Sequence, residues 1–289
     1  MTEVVSLLGN VWGIRPIAEA PKVYAWVSRA RMITGRGALA GCGTSSDALS
    51  FGGHGGLSNE TEHYNGTLWS VGGDLLAGRQ SLAGCGTATD ALSFGGFGGL
   101  SNETEHYNGT LWSAGGDLIQ SRYELAGCGT ADAALSFGGF TNAGNETEHY
   151  DGTSWSVGGD LLNGRGSLAG CGTTDAALNF GHPNQSVPND TERYNGTSWS
   201  VGGDLIQSRY ELAGCGTADA ALSFGGNAND WDPSPKTEHY DGTSWSVGGD
   251  LILGREELAG CGPSTAALSF GGGGKRDGNL TEEYVGTPI

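Results

Sequence analysis

The pentapeptide Leu-Ala-Gly-Cys-Gly occurs six times, starting at residues 39, 82, 125, 168, 212 and 258, and it holds every cysteine: Cys42, Cys85, Cys128, Cys171, Cys215 and Cys261. The steps between cysteines are 43, 43, 43, 44 and 46 residues. A self-similar period of this length restricts the fold to a repeat architecture. Each unit is then one supersecondary element that buries its faces only against its neighbours.

Each unit holds four short strand candidates. In residues 79–121 they are SLAGCG, DALSFGG, TEHY and TLWSAGG, bounded by glycine and polar turn residues. Asn-Gly between the last two is a strong hairpin signal, expected as a type I′ turn with positive φ at both central residues. The unit is therefore a four-stranded antiparallel sheet with two faces to cover. Six such sheets around one axis cover one another, which predicts an all-β, six-bladed β-propeller.

The chain ends predict how the ring closes. The step from the repeat's Trp to its Arg is ten residues from Trp69 to Arg79, Trp112 to Arg122, Trp155 to Arg165, Trp199 to Arg209 and Trp245 to Arg255, and again from Trp26 to Arg36. The last repeat ends at TEEYVGTPI, at the turn before a fourth strand. KVYAWVS (22–28) should supply that strand to blade six, which removes the exposed edge of an open ring. Residues 22–289 are one propeller and residues 1–21 an N-terminal arm.

Formal net charge is -18. A surface this acidic repels phosphates and sets nucleic acid aside as a partner. Glu3 stands where a basic n-region belongs, and Gly9 and Asn10 break the apolar run, so the start does not read as a signal peptide. No segment approaches a membrane span. The N-x-S/T triplets at Asn59, Asn65 and Asn102 read as turns.

Residue types with chemical potential are distributed by the repeat. Cysteines on neighbouring blades stand about 10 Å apart at the usual sheet spacing. That is too wide for disulfides between equivalent copies or for one shared metal ion, so small size at a crowded axis accounts for them. His63, His106, His149 and His239 precede the repeat Tyr on separate blades, in a solvent-facing slot that holds Arg193 and Glu283 elsewhere. The repeat Glu (Glu62, Glu105, Glu148, Glu192, Glu238, Glu282) and the repeat Arg are expected to form a structural ion-pair ladder. Asp74 and its equivalents read as turn residues rather than calcium ligands. Neither a catalytic residue nor a cofactor or metal site is expected, since an enzyme should break this symmetry at one place.

What does break it is the loop between the second and third strands: HGGLSN, FGGLSN, FTNAGN, HPNQSVPND, NANDWDPSPK and GGKRDGN. Strand direction places these loops on the face that also carries the connections between blades. That face should gather His54, Phe97, Tyr123, Phe140, His182, Tyr210, Trp231, Lys275 and Arg276, and variable loops with aromatics on a rigid scaffold suit binding. Val4, Leu7, Leu8 and Trp12 mark the arm as a docking segment.

A glycine pair, then Tyr, then Trp in a four-strand repeat resembles the kelch family of propellers; the matching residues in the first blade are Gly52-Gly53, Tyr64 and Trp69. The resemblance covers residues 22–289. Departures are a shorter unit, a tighter Tyr-to-Trp turn and Gly181-His182 in blade four. TERYNGTSWSVGGDLIQSRYELAGCGTADAALSFGG (191–226) is similar, more narrowly, to kelch-like repeats of marine bacteriophage virion proteins, cyanophages especially. This resemblance implies a non-enzymatic virion structural or attachment protein: a tail fibre, appendage or surface decoration assembled in the host cytoplasm. Its implied partners are other virion proteins and a host surface glycan or protein, and a homo-oligomer is compatible with it. A free lectin-like binding module is the alternative, and a galactose-oxidase-like enzyme or a glycosidase comes third.

Overall fold

The computed structural model describes residues 22–55, 58–98, 102–140, 144–182, 189–228, 232–273 and 278–288. Among these residues every regular element is a β-strand, gathered in six antiparallel sheets of four. Blade one is made of Ala40–Thr44, Asp47–Phe51, Thr61–Tyr64 and Trp69–Val71, and the pattern repeats through blade five. The first strands stand innermost and touch their neighbours all the way round, with blade six meeting blade one. The molecule is a β-propeller.

Each letter of Ala-Gly-Cys-Gly has a separate physical cause. The Ala is buried against the adjoining sheet. The first Gly makes room for a phenylalanine of the preceding blade: a Cβ on Gly84 would lie 2.3 Å from the ring of Phe51, and one on Gly41 would lie 2.3 Å from the ring of Phe270. The Cys is buried and free, and in five blades it donates its thiol to a carbonyl of the following blade. Cys42 reaches Thr87 O at 3.2 Å, Cys85 Thr130 O at 3.3 Å, and Cys261 Thr44 O at 3.5 Å across the junction of blades six and one. The sequence accounts for the thiols by size alone; the structure adds a bond between blades. The second Gly turns the chain at positive φ, 102° at Gly43.

Two further ties run between and within blades. The indole N–H of each repeat Trp donates to a threonine hydroxyl of the preceding blade at 2.9–3.0 Å, as in Trp112 to Thr61 and Trp155 to Thr104. The repeat Arg and Glu form the expected pair, at 2.9–3.0 Å in Arg36–Glu62, Arg79–Glu105, Arg209–Glu238 and Arg255–Glu282, and also in Arg122–Glu148 and Arg165–Glu192. The carboxylate does a second job. Glu105 accepts the backbone N–H of Leu76 at 2.7 Å, so one buried charge pins the connection arriving from the previous blade. In four blades the guanidinium also donates to a serine (Ser50, Ser93, Ser223, Ser269) at 2.7–3.0 Å.

Lys22–Ser28 completes blade six. It pairs antiparallel with the final strand, Thr281–Pro288, from Lys22 opposite Pro288 to Ser28 opposite Glu282. Trp26 donates to Thr237 of blade five at 2.9 Å, as the other tryptophans do to their neighbours. The chain end is not a turn, as the sequence suggests, but a strand. With no covalent link to the fourth strand, nothing bends the backbone after Tyr284, and it runs straight along its partner.

The Asn-Gly hairpins also differ from expectation. Gly66 has φ 86°, but Asn65 keeps negative φ. The loop is four residues long between the paired Tyr64 and Trp69, and the Asn65 Oδ1 accepts the N–H of Thr67 and Leu68 at 3.0 and 2.9 Å. An Asx turn, not a type I′ turn, shapes it, which is why Asp151 and Asp241 serve at the same position. The repeat histidines are half-buried links rather than free solvent-facing groups. His63 meets Asp47 at 2.6 Å, whereas His149 and His239 meet Tyr194 and Tyr284 of the next blade at 2.8 and 2.7 Å.

Candidate functional site

The loops that follow the second strands and the connections that lead into the first strands meet on one face, as isolated antiparallel bridges show: Gly37 with His54, Gln80 with Phe97, Tyr123 with Phe140, and Tyr210 with Asn227. The scaffold beneath is rigid and six-fold. The residues at its rim are not.

Three expected residues come together. Phe97 of blade two packs edge-on against Tyr123 of blade three, with ring centroids 5.9 Å apart, and Tyr123 packs against Phe140 at 5.6 Å. Phe97, Tyr123 and Phe140 are 54%, 36% and 41% exposed, so the strip offers ring faces and edges to solvent while its members brace one another. Aromatic groups held this way combine apolar area with few rotamers to lose on binding.

The others go elsewhere. His54 leans toward the axis and bonds Glu257 at 2.6 Å. Tyr210 is half-buried, and burial next to Glu211 and Glu256 pushes its hydroxyl pKa up. His182, expected as an exposed loop residue, is instead 7% exposed. Its ring lies beside Arg165 and against the backbone of Gly166. Trp231, Lys275, Arg276 and the arm residues Val4, Leu7, Leu8 and Trp12 lie outside the described residues.

At the centre of the same face is a feature that sequence reasoning missed. Ala38, Ser81, Glu124, Ser167, Glu211 and Glu257 stand one per blade at φ 50–56°, the left-handed region. Each donates its N–H to the carbonyl of the preceding member at 2.7–3.0 Å, and Ala38 donates to Glu257, so six backbone bonds close into a ring. The strained φ is what turns each amide sideways toward the next blade. The ring surrounds an axial mouth of about 110 Å³ floored by the repeat leucines. Three of its members are glutamates. Glu124 accepts from Ser167, Glu257 is held by His54, and Glu211 is pushed up to about 7 by burial and then by Glu257, Glu256 and Glu124. The signal available was that the residue before Leu-Ala-Gly-Cys-Gly varies as Ala, Ser, Glu, Ser, Glu, Glu.

The opposite end of the axis is a wider mouth of about 380 Å³ lined by the glycines and cysteines of the first strands. Burial raises every thiol pKa there, to about 12 for Cys171, so the sulfur stays protonated and a donor. Among the described residues no group of three or more His, Cys, Asp or Glu is placed to hold a metal ion. No protein-family model matches the chain, and no curated protein matches it.

Proposed function

We propose that the chain is a non-enzymatic recognition protein of a tailed-phage particle, a tail fibre, appendage or surface decoration that presents its loop face to a host surface. The observation that carries the binding role is the strip Phe97–Tyr123–Phe140, three mutually braced aromatics left open on an otherwise regular ring. The virion setting rests on the kelch-like resemblance of residues 191–226 to phage virion repeats, and residues 1–21 are the segment proposed to dock. Two things favour a non-catalytic reading. The repeat carboxylates are each committed to an arginine and to backbone amides, and the thiols are buried and protonated.

Mass spectrometry of density-purified particles, with antibody-labelled micrographs, tests the setting: the chain should be found on the particle. Its abundance in lysate and absence from particles would favour the free lectin-like module, to which the same aromatic strip belongs. For the face itself, Tyr123→Ala should weaken attachment to host cells by at least about tenfold, the loss of a buried aromatic contact, with the thermal unfolding midpoint kept. Unchanged attachment with an intact fold counts against this face.

A further inference from the structure

Blade four departs from the repeat at Asn179 and His182, and it sets His182 beside a glycine, Gly166, at a position that varies between blades. Where blades three and five have Tyr123 and Tyr210 after the repeat Arg, it has Gly166, as blade one has Gly37; where the other blades have a second glycine, it has His182; where they have a serine on the second strand, it has Asn179. A cavity of about 180 Å³ results, walled by Phe140, Arg165, Gly166, His182 and the backbone of Gly139. A Cβ on Gly166 would lie 2.9–3.0 Å from the ring of Phe140, which leans over the glycine.

One wall residue, His182, carries an unmet polar group. His182 is more than nine-tenths buried, and its Nδ1 has no hydrogen-bond partner. Asn179, on the strand Ala177–Phe180 that precedes His182 and outside the cavity lining, is fully buried with both side-chain amide atoms unpartnered. Buried polar atoms without partners are rare and costly, which points to something that meets them. In blades one, two, three and five the residue after the glycine pair gives its N–H to the inter-blade connection, as Phe97 does to Gln80 at 2.7 Å. Blade four has Pro183 at the corresponding sequence position, and proline carries no amide hydrogen.

The chemistry of the walls selects the ligand. At about 30 Å³ per water the space holds roughly six waters, comparable to one saccharide ring and too small for a peptide. Phe140 offers an apolar plane, suited to the C–H face of a sugar. His182 offers a buried nitrogen to a hydroxyl. A cation is opposed by the guanidinium of Arg165 in the wall, and an anion by the net charge of -18.

We propose that this cavity between blades three and four binds one neutral pyranose residue of a surface glycan, with Phe140 under the ring and His182 meeting a hydroxyl. The proposal rests on the recognition role of the loop face and adds to it where, and for which ligand class. The test uses the full chain titrated separately with glucose, galactose, mannose, N-acetylglucosamine and N-acetylneuraminic acid, followed by saturation-transfer NMR and calorimetry. At least one neutral sugar should bind, with Kd about 1 mM as a single-residue contact. Gly166→Tyr and His182→Gly should each weaken it at least about tenfold, and the anionic sugar should not compete. Both variants install what other blades already carry, and thermal unfolding checks that they fold. Binding by none of the neutral sugars, preference for the anionic one, or affinity unchanged in both variants would overturn the proposal. Host-cell attachment that falls in Tyr123→Ala but not in Gly166→Tyr or His182→Gly would overturn the cavity alone and leave the face standing.

Discussion

A buried arginine is stable only because its partner is there. Arg79 is fully buried and held by Glu105 at 2.9 Å, and the same carboxylate takes the Leu76 amide. Glu105→Ala therefore leaves an uncompensated cation and an orphaned amide, and should cost about 3–5 kcal/mol, read from chemical unfolding. At the axial mouth the sign is reversed. The Glu211 carboxyl is raised from 4.5 to about 7 by burial and by Glu257, Glu256 and Glu124. Its protonated form is the favoured one in the fold, so its contribution to stability is full below about pH 4.5 and is lost as pH rises through about 7. Glu211→Gln should raise Tm by about 2–4 °C at pH 8 and leave it unchanged near pH 4. Thiol reactivity gives a third check at this scale. With all six cysteines buried and protonated, a thiol-specific reagent should label none in the native chain and all six after denaturation. Fast native labelling would contradict the inter-blade thiol bonds.

Among elements, the strand Lys22–Ser28 holds a special place, since it joins the first part of the chain to the last. Deleting residues 1–28 removes seven register pairs, the Trp26–Thr237 bond and the outer wall of blade six. The expected outcome is a protein that unfolds well below the parent and is cleaved throughout by limited proteolysis. Deleting residues 1–21 should keep the parental Tm. The strand's role was legible from the ten-residue Trp-to-Arg step, because a repeat constrains its own missing piece. The turn type was not legible. Asn-Gly permits a type I′ turn, but the Asn65 side chain competes for the Thr67 and Leu68 amides and holds φ negative. The extension of the final strand past Tyr284 was hidden for a related reason: an unlinked strand end follows its partner rather than its own turn residues.

For the molecule as a whole, period and glycine pattern were enough to specify the six blades, since Gly41 and Gly84 are dictated by neighbours that the repeat itself supplies. The face was half legible. Phe97, Tyr123 and Phe140 could be brought together because strand direction fixes which loops meet. The burial of His182 could not, because it depends on how its ring packs beside Arg165 and the Gly166 backbone, visible only in three dimensions, although Asn179, His182 and Pro183 mark blade four as irregular in sequence. The ring of six left-handed residues was illegible for another reason. No side-chain type requires that conformation; the closure of the ring imposes it on alanine, serine and glutamate alike.

The pairing of the two chain ends has a mechanical consequence. Lys22 lies opposite Pro288, so tension on the segment preceding Lys22 reaches the sheet at the end of a ladder and meets its register pairs in succession rather than together. The molecule is weakest when pulled by its own N-terminus and stronger when pulled through two mid-ring turns, such as those at Gly66 and Gly196. Single-molecule pulling should find the first geometry opening at lower force, with release of one strand before the remaining blades give way.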